Sequence, residues 1–432
     1  MKQQRWLYIS AICILMFVML FGFSMFSFGK EKVELSFWNW PFHVEPMRSE
    51  VATHFLKNVS KAVPNVTVAD DFGPTTYDEL RRKFILQAKT GKPDIIEGLL
   101  ENVVAYKRLG LIKPVTKEFA AWSDKGYFLK PAIDALTVDG ELWGIPYVVN
   151  VRLLLYRKSI LAKYGFEPPK TWDEFVKMAA TISKNEPGMH GFSFTSEKGE
   201  PRVFQEFIAW YYQLNDKLFR KEGKKWVVNA TPEQLEKVLS LYHDLVFSSP
   251  APAVNPEERG IGGGAQDVGY VKGKYAMVVA GPWMVGYGKD YPKVMEDTGI
   301  APLPVAPGGK QRTFMEVKPI MINKYTKNPD QAWNVVKYIT SRDFMALENS
   351  VEGANPPRTD VAALPHFRND KWQKAFVGQL NTGVVIEPLT WELPQRDIME
   401  AVQKVIYNQA TPKEAAKWLY NQLSLRAKSG AL

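Results

Sequence analysis

Short apolar segments alternate with helical patterns in the first part of the chain, and this alternation constrains the fold more than any other feature of the sequence. Leu35 to Trp38 and Val66 to Ala69 have the apolar character of strands, and a helical pattern from Pro46 to Val63 separates them. A second helical pattern, Tyr77 to Lys89, leads to the short buried strand Pro93 to Ile96. The β-α-β-α-β order predicts an α/β fold in which helices cover both faces of a parallel sheet.

A second αβ series follows a predicted hairpin between Val138 and Pro146, which has Asp139-Gly140 at its turn. Val151 to Tyr156 is a continuous apolar strand, and Thr171 and Thr231 are typical caps of the helices that come after it. The 432 residues exceed the usual size of one domain, and their 46% hydrophobic and 23% charged content is that of an ordinary globular protein. We therefore expect two α/β lobes.

The first thirty residues are typical of an export signal. Lys2 and Arg5 precede an apolar run of 22 residues, Leu7 to Phe28. Ser27 and Gly29 are small residues at the positions that a signal peptidase reads, so we expect cleavage after Gly29 and a periplasmic or extracellular protein. The same run is long enough to cross a bilayer as an uncleaved anchor, which leaves a membrane-associated protein as the alternative.

Cysteine and histidine usage argues against metal and thiol chemistry. Cys13 is the only cysteine, and it lies inside the apolar run behind Ile12, where a lipoprotein signal has a small residue. The rest of the chain can form neither a disulfide nor a cysteine metal site, and the five histidines are dispersed. We expect no metal and no cofactor. The net charge of +9 is scattered among acids, so we expect no nucleic-acid partner.

Motifs for phosphate binding and nucleophilic catalysis do not occur in the sequence. Gly260 to Gly269 contains Gly262-Gly-Gly264 but lacks the Gly-Lys-Ser/Thr of a phosphate loop, so we predict that this stretch is a flexible loop. No nucleophile elbow is present, and no two acids are organised as a glycosidase pair. A secreted glycoside hydrolase remains the enzymatic alternative, because a sequence does not measure the distance between two carboxyl groups.

Three groups of short motifs span most of the chain. The most specific runs from Asp139-Gly-Glu-Leu-Trp-Gly-Ile-Pro146 to Pro168-Pro-Lys-Thr-Trp-Asp-Glu174. The second is Gly273-Lys-Tyr-Ala-Met277 with Gly281-Pro-Trp283, and the third joins Pro302-Leu-Pro304 to Pro307-Gly-Gly309. In order and spacing these motifs resemble the family 1 extracellular solute-binding proteins of ATP-driven importers, the group that contains the maltose-binding and multiple-sugar-binding proteins.

The resemblance implies a two-lobed periplasmic-binding-protein fold with a hinged cleft and no catalytic residues. The signal segment is residues 1–29, the N-terminal lobe residues 30–148 and 307–345, and the C-terminal lobe residues 149–306 and 346–432. The expected hinges are Pro146 to Val151 and Ala301 to Val305. Such a protein is expected to be a monomer that delivers a carbohydrate to the permease subunits of an ABC importer. An anchored ectodomain that senses a ligand would share this fold and is a further alternative.

Several aromatic and polar residues are candidate ligand contacts, because aromatic rings pack on the C–H patches of sugars and short polar side chains bind their hydroxyls. Trp38, Asn39 and Trp40 follow the first strand, where α/β lobes place ligands, although Trp38 fits the core equally well. By the resemblance, Trp283 of the Gly-Pro-Trp motif stacks on the ligand. Asn150 likewise corresponds to a position that makes a polar contact in the family.

The remaining candidates rest on position alone. Glu97 and Glu101 follow a predicted strand, but acids there also complement a helix dipole. Glu206 and Trp210 share one face of the predicted helix 202–214, where core or solvent-facing roles explain them equally well. Late segments that approach the cleft in the family supply three more candidates: Glu316, Trp391 and Arg396.

Overall fold

The computed structural model describes residues 32–432. The expected signal segment, with Cys13 and the cleavage site after Gly29, lies outside the described residues. Among the helices that the structure describes, none is both long and apolar enough to cross a membrane.

Two mixed β-sheets organise the chain. The first sheet has the strand order β15-β14-β4-β2, with β7 also paired to β14, and the second has the order β13-β8-β12-β9. The shorter pairs β1-β3, β5-β6 and β10-β11 lie outside them. The strands are β1 (Val33–Leu35), β2 (Phe37–Trp38), β3 (Val66–Val68), β4 (Ile95–Glu97), β5 (Thr137–Val138), β6 (Glu141–Leu142), β7 (Ile145–Val151), β8 (Leu153–Arg157), β9 (His190–Ser193), β10 (Phe219–Glu222), β11 (Lys225–Val228), β12 (Tyr275–Ala280), β13 (Thr298–Ala301), β14 (Thr313–Ile322) and β15 (Gly383–Val384).

Helices pack around both sheets and alternate with the strands, as the α/β prediction requires. They are α1 (Thr53–Ala62), α2 (Tyr77–Gln87), α3 (Leu100–Arg108), α4 (Thr116–Ala121), α5 (Lys130–Ala135), α6 (Lys158–Lys163), α7 (Trp172–Asn185), α8 (Pro201–Tyr211), α9 (Pro232–Phe247), α10 (Gly263–Val271), α11 (Pro292–Asp297), α12 (Pro329–Ile339), α13 (Arg342–Glu352), α14 (Thr359–Ala362), α15 (Pro365–Asn369), α16 (Lys371–Val377), α17 (Glu392–Ile406) and α18 (Pro412–Lys428). Shorter helical turns include Trp40–His43, Met47–Ala52 and Pro282–Gly288.

The first sheet is mixed, not parallel as predicted. Its pair β2-β4 is parallel, and so is the separate pair β1-β3, in agreement with the β-α-β order. The long strand β14 returns from far along the chain and pairs antiparallel with both β4 and β7. This long-range pairing sets Glu316 opposite Asn150 and Ile320 opposite Glu97, and it places late residues beside early ones.

The chain passes between the two sheets at a single residue, Arg152, which separates β7 from β8. It returns through residues 302–312, and this return segment is fixed to the end of α8 by Gln213. The side-chain Oε1 of Gln213 accepts from the backbone N–H of Ala306 at 2.9 Å, and its Nε2 donates to the carbonyl of Pro304 at 2.9 Å. The return segment is therefore held in place by specific hydrogen bonds.

The last part of the chain packs on both sides. Helices α12 and α13 pack against the first-sheet side, where α13 contacts residues 47–52, and β15 pairs with β14. Helices α17 and α18 pack against α9. The part of the chain after residue 328 therefore packs on both sides and does not form a separate layer.

Local sequence signals agree with the structure at the turn and the helix caps. Asp139 and Gly140 have φ of 52° and 80°, the two left-handed residues that the predicted tight turn needs. Thr171 accepts from the backbone N–H of Glu174 at 3.2 Å, and Thr231 forms a capping box with Gln234.

The prediction of a flexible loop over Gly260 to Gly269 is wrong, because helix α10 begins at Gly263. The glycines serve close packing here. A Cβ atom on Gly263 would lie 2.7 Å from the guanidinium carbon of Arg202, and one on Gly269 would lie 2.4 Å from the Tyr275 ring. Their missing side chains let two large groups pack directly on the helix backbone.

Candidate functional site

A buried group of polar side chains lies where the chain crosses between the sheets. The guanidinium of Arg152 donates to Gln205 Oε1, and Gln205 Nε2 donates to Glu101 Oε1 at 3.1 Å and to Glu316 Oε1 at 3.3 Å. Arg152 Nη2 also lies 3.5 Å from Glu316 Oε1. None of the four side chains belongs to a residue more than 5% exposed. We call Arg152, Gln205, Glu101 and Glu316 the Arg152 cluster.

The Arg152 cluster joins elements from both sides of the crossing. Glu101 comes from the first turn of α3, Glu316 from the middle of β14, and Gln205 from α8, which packs against β14. Asn150 extends it, since its Nδ2 lies 3.5 Å from Glu316 Oε2 and its Oδ1 accepts from the backbone N–H of Asn355 at 3.2 Å. The structure therefore brings three of the sequence candidates, Glu101, Glu316 and Asn150, into one buried network.

The two carboxyl groups of this cluster differ in their protonation. Burial opposes the ionisation of Glu316, but Arg152 and Lys318 outweigh it and hold the pKa of that carboxyl below its ordinary value. Burial raises the pKa of Glu101 to about 7, because the hydrogen bond from Gln205 and the charge of Arg152 offset it only in part. Glu316 is thus the fixed counter-charge of Arg152, whereas Glu101 titrates near neutral pH.

Several polar atoms of the Arg152 cluster are buried without a hydrogen-bond partner among the described residues. They are Nε and Nη1 of Arg152 and Oε2 of Glu101. A buried donor left unpaired costs about 1–3 kcal/mol, and more when it is charged, so such atoms mark places that water or a ligand fills. The free guanidinium N–H groups are suited to oxygen atoms of a bound molecule.

Trp283 lies beside this cluster, at the end of β12. Its indole Nε1 donates to Asp267 Oδ2 at 3.0 Å, and Asp267 in turn pairs with Arg202 through contacts of 2.8 and 3.1 Å. The guanidinium carbons of Arg152 and Arg202 lie 4.7 and 4.9 Å from the ring centre. Two arginine side chains therefore lie over the Trp283 ring, and Gly281, two residues before it, lies directly against the ring. The stacking of this ring on a ligand stays a prediction.

A second polar group lies further along the same strand. Lys318 is two residues from Glu316 and on the same face of β14, and its Nζ lies 2.9 Å from Glu352 Oε1 and 5.7 Å from the ring centre of Tyr77. The Tyr77 hydroxyl donates to Glu97 Oε1 at 3.0 Å. We call Lys318, Tyr77, Glu97 and Glu352 the Lys318 cluster.

Trp40 extends the Lys318 cluster with an aromatic surface. Its ring centre lies 5.2 Å from that of Tyr77 with the planes tilted by 36°, and its Nε1 donates to the carbonyl of Thr75. Trp40 is partly buried, so one aromatic pair borders the cluster. Glu97 is buried, which raises the pKa of its carboxyl to about 8, although Lys318 and the Tyr77 hydroxyl favour the ionised form.

Trp38 and Asn39 have structural contacts. The ring of Trp38 is buried under Gly73, where an added Cβ would lie 2.4 Å from it. Asn39 is fully buried, and its Oδ1 accepts from the backbone N–H of Phe42 at 3.2 Å, which caps the turn Trp40–His43. Of the three residues predicted after the first strand, Trp40 is the one that borders a polar cluster.

Other candidates lie apart from the two clusters. Trp210 is 1% exposed and packs edge-on against Trp172 with ring centres 6.1 Å apart. Trp391 is equally buried and packs against Phe204, with its Nε1 donating to the carbonyl of Glu387. We therefore leave both tryptophans out of the candidate site, because their rings are used in the core.

Glu206 and Arg396 occupy opposite environments. Glu206 is fully buried and accepts from the hydroxyl of Thr195 at 3.1 Å, and burial raises its pKa to about 8 although Arg202 opposes this. Arg396 is exposed on α17. Glu206 thus lies next to the Arg202 side chain that contacts Trp283, whereas Arg396 belongs to the solvent-facing surface.

Sequence reasoning missed Arg152, Gln205, Tyr77, Lys318 and Glu352. A usable signal was present for two of them, since Lys318 interrupts the buried run Thr313–Ile322 and Arg152 interrupts the apolar run from Ile145 to Leu155. A charged residue inside a buried strand needs a partner, so these two interruptions of apolar strands indicate both clusters.

Two surface concavities lie elsewhere on the molecule. One of about 530 Å³ is lined by residues of α13 and α15 with Pro46 and Glu50, and one of about 700 Å³ lies between α7 and α9. The network of unpaired buried polar atoms described above lies in neither, so we place the candidate site at the crossing between the sheets.

Comparison with known proteins gives several relatives. A putative binding protein of Brucella abortus (strain 2308) is 25% identical over 260 residues, which cover 59% of this chain and 60% of that protein. A probable ABC transporter-binding protein of Deinococcus radiodurans is 26% identical over 325 residues, which cover 72% of this chain and 74% of that protein. The chain thus aligns with only about 60% of the length of the Brucella protein.

Solved structures confirm the two-lobed α/β fold. The maltose-bound MalE3 of T. maritima superposes with a TM-score of 0.80 and 21% identity, covering 91% of this chain and 99% of that one. The GacH receptor of Streptomyces glaucescens superposes with a TM-score of 0.79 and 22% identity, covering 91% and 98%.

The family model of the bacterial extracellular solute-binding proteins matches residues 45–346. This range contains more than half of the chain, both sheets apart from the edge strands β2 and β15, and both polar clusters apart from Glu352. The chain belongs to the family of bacterial extracellular solute-binding proteins.

Proposed function

We propose that this protein captures a sugar or oligosaccharide in a cleft between two lobes and delivers it to the permease subunits of an ABC importer. The observation that carries the proposal is the Arg152 cluster, in which buried guanidinium donors stay unpaired at the crossing between the sheets. The names of relatives support it: one is a probable ABC transporter-binding protein, and a maltotriose-binding protein of Pyrococcus abyssi is 23% identical over 334 residues.

The proposed lobes are those expected from the sequence, residues 30–148 with 307–345 and residues 149–306 with 346–432, except that residues 346–352 move to the N-terminal lobe. The crossing at Arg152 and the return segment 302–312 then act as hinges. We assign the whole of α13 to the N-terminal lobe, because this helix packs against Met47–Ala52. The protein acts outside the cytoplasm as a monomer, and it is membrane-associated if the segment 7–28 is not cleaved.

Closure of the lobes assembles the proposed site. Gln205 belongs to the C-terminal lobe and hydrogen-bonds to Glu101 and Glu316 of the N-terminal lobe, so these contacts form only when the lobes meet. Sugar oxygens accept from Nε and Nη1 of Arg152, which satisfies donors that are otherwise buried and unpaired. The ligand thereby favours the closed state, the form that a permease contacts on both lobes.

We propose binding without hydrolysis. A glycosidase needs two carboxyl groups with the scissile bond between them. Glu101 and Glu316 differ in protonation as such a pair does, but the amide of Gln205 lies within 3.3 Å of both carboxyls and fills the space between them. Incubation with oligosaccharides should therefore leave their length unchanged, as measured by chromatography of the recovered sugar.

A calorimetric and thermal-shift screen of mono- and oligosaccharides tests the proposed function, since a ligand that binds the folded state raises its melting temperature. We expect at least one sugar to stabilise the protein and to reduce its radius of gyration in solution scattering. The absence of both effects across the panel would overturn the proposal, and shortened oligosaccharides would revive the hydrolase alternative.

A further inference from the structure

The Lys318 cluster is enriched in carboxyl groups beyond what one lysine balances. Glu352 pairs with Lys318 at 2.9 Å, and Glu97 accepts from Tyr77 at 3.0 Å. Helix α13 adds Glu348, one turn before Glu352, which is fully buried. Three carboxyl groups, one from β4 and two from α13, are thus close enough to a single ammonium group to feel its charge.

The unpaired atoms of this region are mainly hydrogen-bond acceptors. Oε2 of Glu97, Oε2 of Glu352 and Oε1 of Glu348 are buried without a partner among the described residues. The hydroxyl of Tyr147, a fully buried residue of β7, is also unpaired. Burial and then the charges of Glu348, Glu352 and Glu97 raise the pKa of that hydroxyl, which places it among the three carboxyl groups.

Lys318 carries the one positive charge among these side chains, so the group is electrically neutral only while Glu97 and Glu348 are both protonated. Burial raises the pKa of Glu97 to about 8, against the effect of Lys318 and the Tyr77 hydroxyl and with the help of Glu352 and Glu316. Burial and the neighbouring Glu352 raise the pKa of Glu348 as well. The Lys318–Glu352 pair neutralises itself, so a further cation is accommodated when Glu97 or Glu348 releases its proton.

We propose that the Lys318 cluster, together with Glu348 and Tyr147, binds an amino group of the ligand, so that the preferred ligand is an amine-bearing sugar. This inference rests on the proposed function. An ammonium group has three donors and no acceptor, which matches a site whose unpaired atoms are three carboxyl oxygens and one hydroxyl, whereas a ligand hydroxyl brings an acceptor as well. The adjacent Trp40–Tyr77 pair offers an aromatic surface to the same end of the ligand.

The test is titration calorimetry of the protein with matched sugars that differ in one group. Glucosamine and its β-1,4-linked oligomers are compared with the N-acetylated and the hydroxyl counterparts of the same length. We expect the amine form to bind at least about tenfold more tightly, the effect of one hydrogen bond between charged groups. Its binding enthalpy should also vary with the ionisation enthalpy of the buffer, because Glu97 or Glu348 releases a proton to the buffer when the amine form binds.

Two isosteric variants and a matched control test whether the preference for the amine form depends on Glu97 and Glu348. Glu97→Gln and Glu348→Gln should each reduce the preference for the amine form at least about threefold while binding of the hydroxyl form persists. Glu387→Gln is the control, since Glu387 is also buried but accepts from the backbone N–H of Phe219 at 2.7 Å, outside the cluster. This control should leave the preference unchanged.

The outcomes separate this inference from the proposed function. Equal or tighter binding of the hydroxyl forms, or an amine preference that both glutamine variants retain, overturns the inference and leaves the proposed function standing. Failure of every carbohydrate to bind overturns the proposed function and the inference with it.

Discussion

The two polar clusters lie on one strand and present opposite hydrogen-bonding character. Glu316 and Lys318 are neighbours on the same face of β14, yet the unpaired atoms around the first are mainly guanidinium donors and those around the second are mainly carboxyl oxygens. A molecule that spans both clusters has to offer acceptors at one end and donors at the other. The proposed site would therefore fix the orientation of its ligand as well as bind it.

The largest expected effect comes from Arg152→Ala. This change removes the donors of the Arg152 cluster and leaves Glu316 buried without its counter-charge, so we expect a loss of about 3–5 kcal/mol in unfolding free energy. Sugar affinity should fall by roughly a hundredfold or more. Urea denaturation and calorimetry measure the two effects.

A double variant separates the two effects of Arg152→Ala. Arg152→Met with Glu316→Gln removes both charges, so it should recover most of the stability but not the affinity. Recovered affinity in the double variant would contradict a binding role for the guanidinium group.

Lys318→Met removes the positive charge of the other cluster. It should reduce the affinity for neutral sugars less than Arg152→Ala does. It leaves Glu352 without its partner at 2.9 Å, and we expect a loss of about 3 kcal/mol in unfolding free energy. Addition of Glu352→Gln should restore most of that stability in urea denaturation. If affinity for neutral sugars fell as far as in Arg152→Ala, the two clusters would not differ as described.

Gln213→Ala changes a residue that lies outside both clusters. Its side chain holds the return segment through Ala306 and Pro304 and accepts from Trp172 Nε1 at 3.0 Å, so its loss should cost about 2 kcal/mol. We expect a change in ligand affinity below about fivefold, because no cluster residue is touched. A larger change would place the return segment in control of closure.

The smallest effect concerns pH and Glu97. A carboxyl whose folded pKa is about 8 binds more protons in the folded than in the unfolded state, so its contribution is complete below about pH 4.5 and is lost as pH rises toward 8. Glu97→Gln should therefore make the decline of stability between pH 5 and 8 shallower. Parallel pH profiles for the variant and the parent protein would contradict the raised pKa.

The parts of the fold that could be predicted from the sequence depend on local signals. The turn at Asp139-Gly140 and the cap at Thr171 follow from backbone and side-chain preferences within a few residues, and the structure contains both. The glycine-rich stretch led to the wrong prediction of a loop. Glycine is needed at 263 and 269 because the side chains of Arg202 and Tyr275 pack directly on the helix backbone there. That constraint comes from tertiary packing, with Arg202 more than sixty positions away from Gly263, and leaves no local pattern.

The candidate site was predictable only in part for the same reason. Glu101, Glu316 and Asn150 were identified, but their partner Gln205 has no motif, and its role depends on how α8 packs against β14. The pairing of β14 with β7 joins residues more than 160 positions apart, so the sequence alone does not reveal it. Aromatic residues were over-weighted, since Trp210 and Trp391 fill the core.

A crystal structure of the protein with a bound sugar tests whether the buried Arg152 cluster at the crossing between the sheets holds the ligand. We predict sugar oxygens within hydrogen-bond distance of Nε or Nη1 of Arg152, with Gln205 still bridging Glu101 and Glu316. A sugar seated in the concavity between α7 and α9, with the Arg152 donors unchanged, would contradict the account.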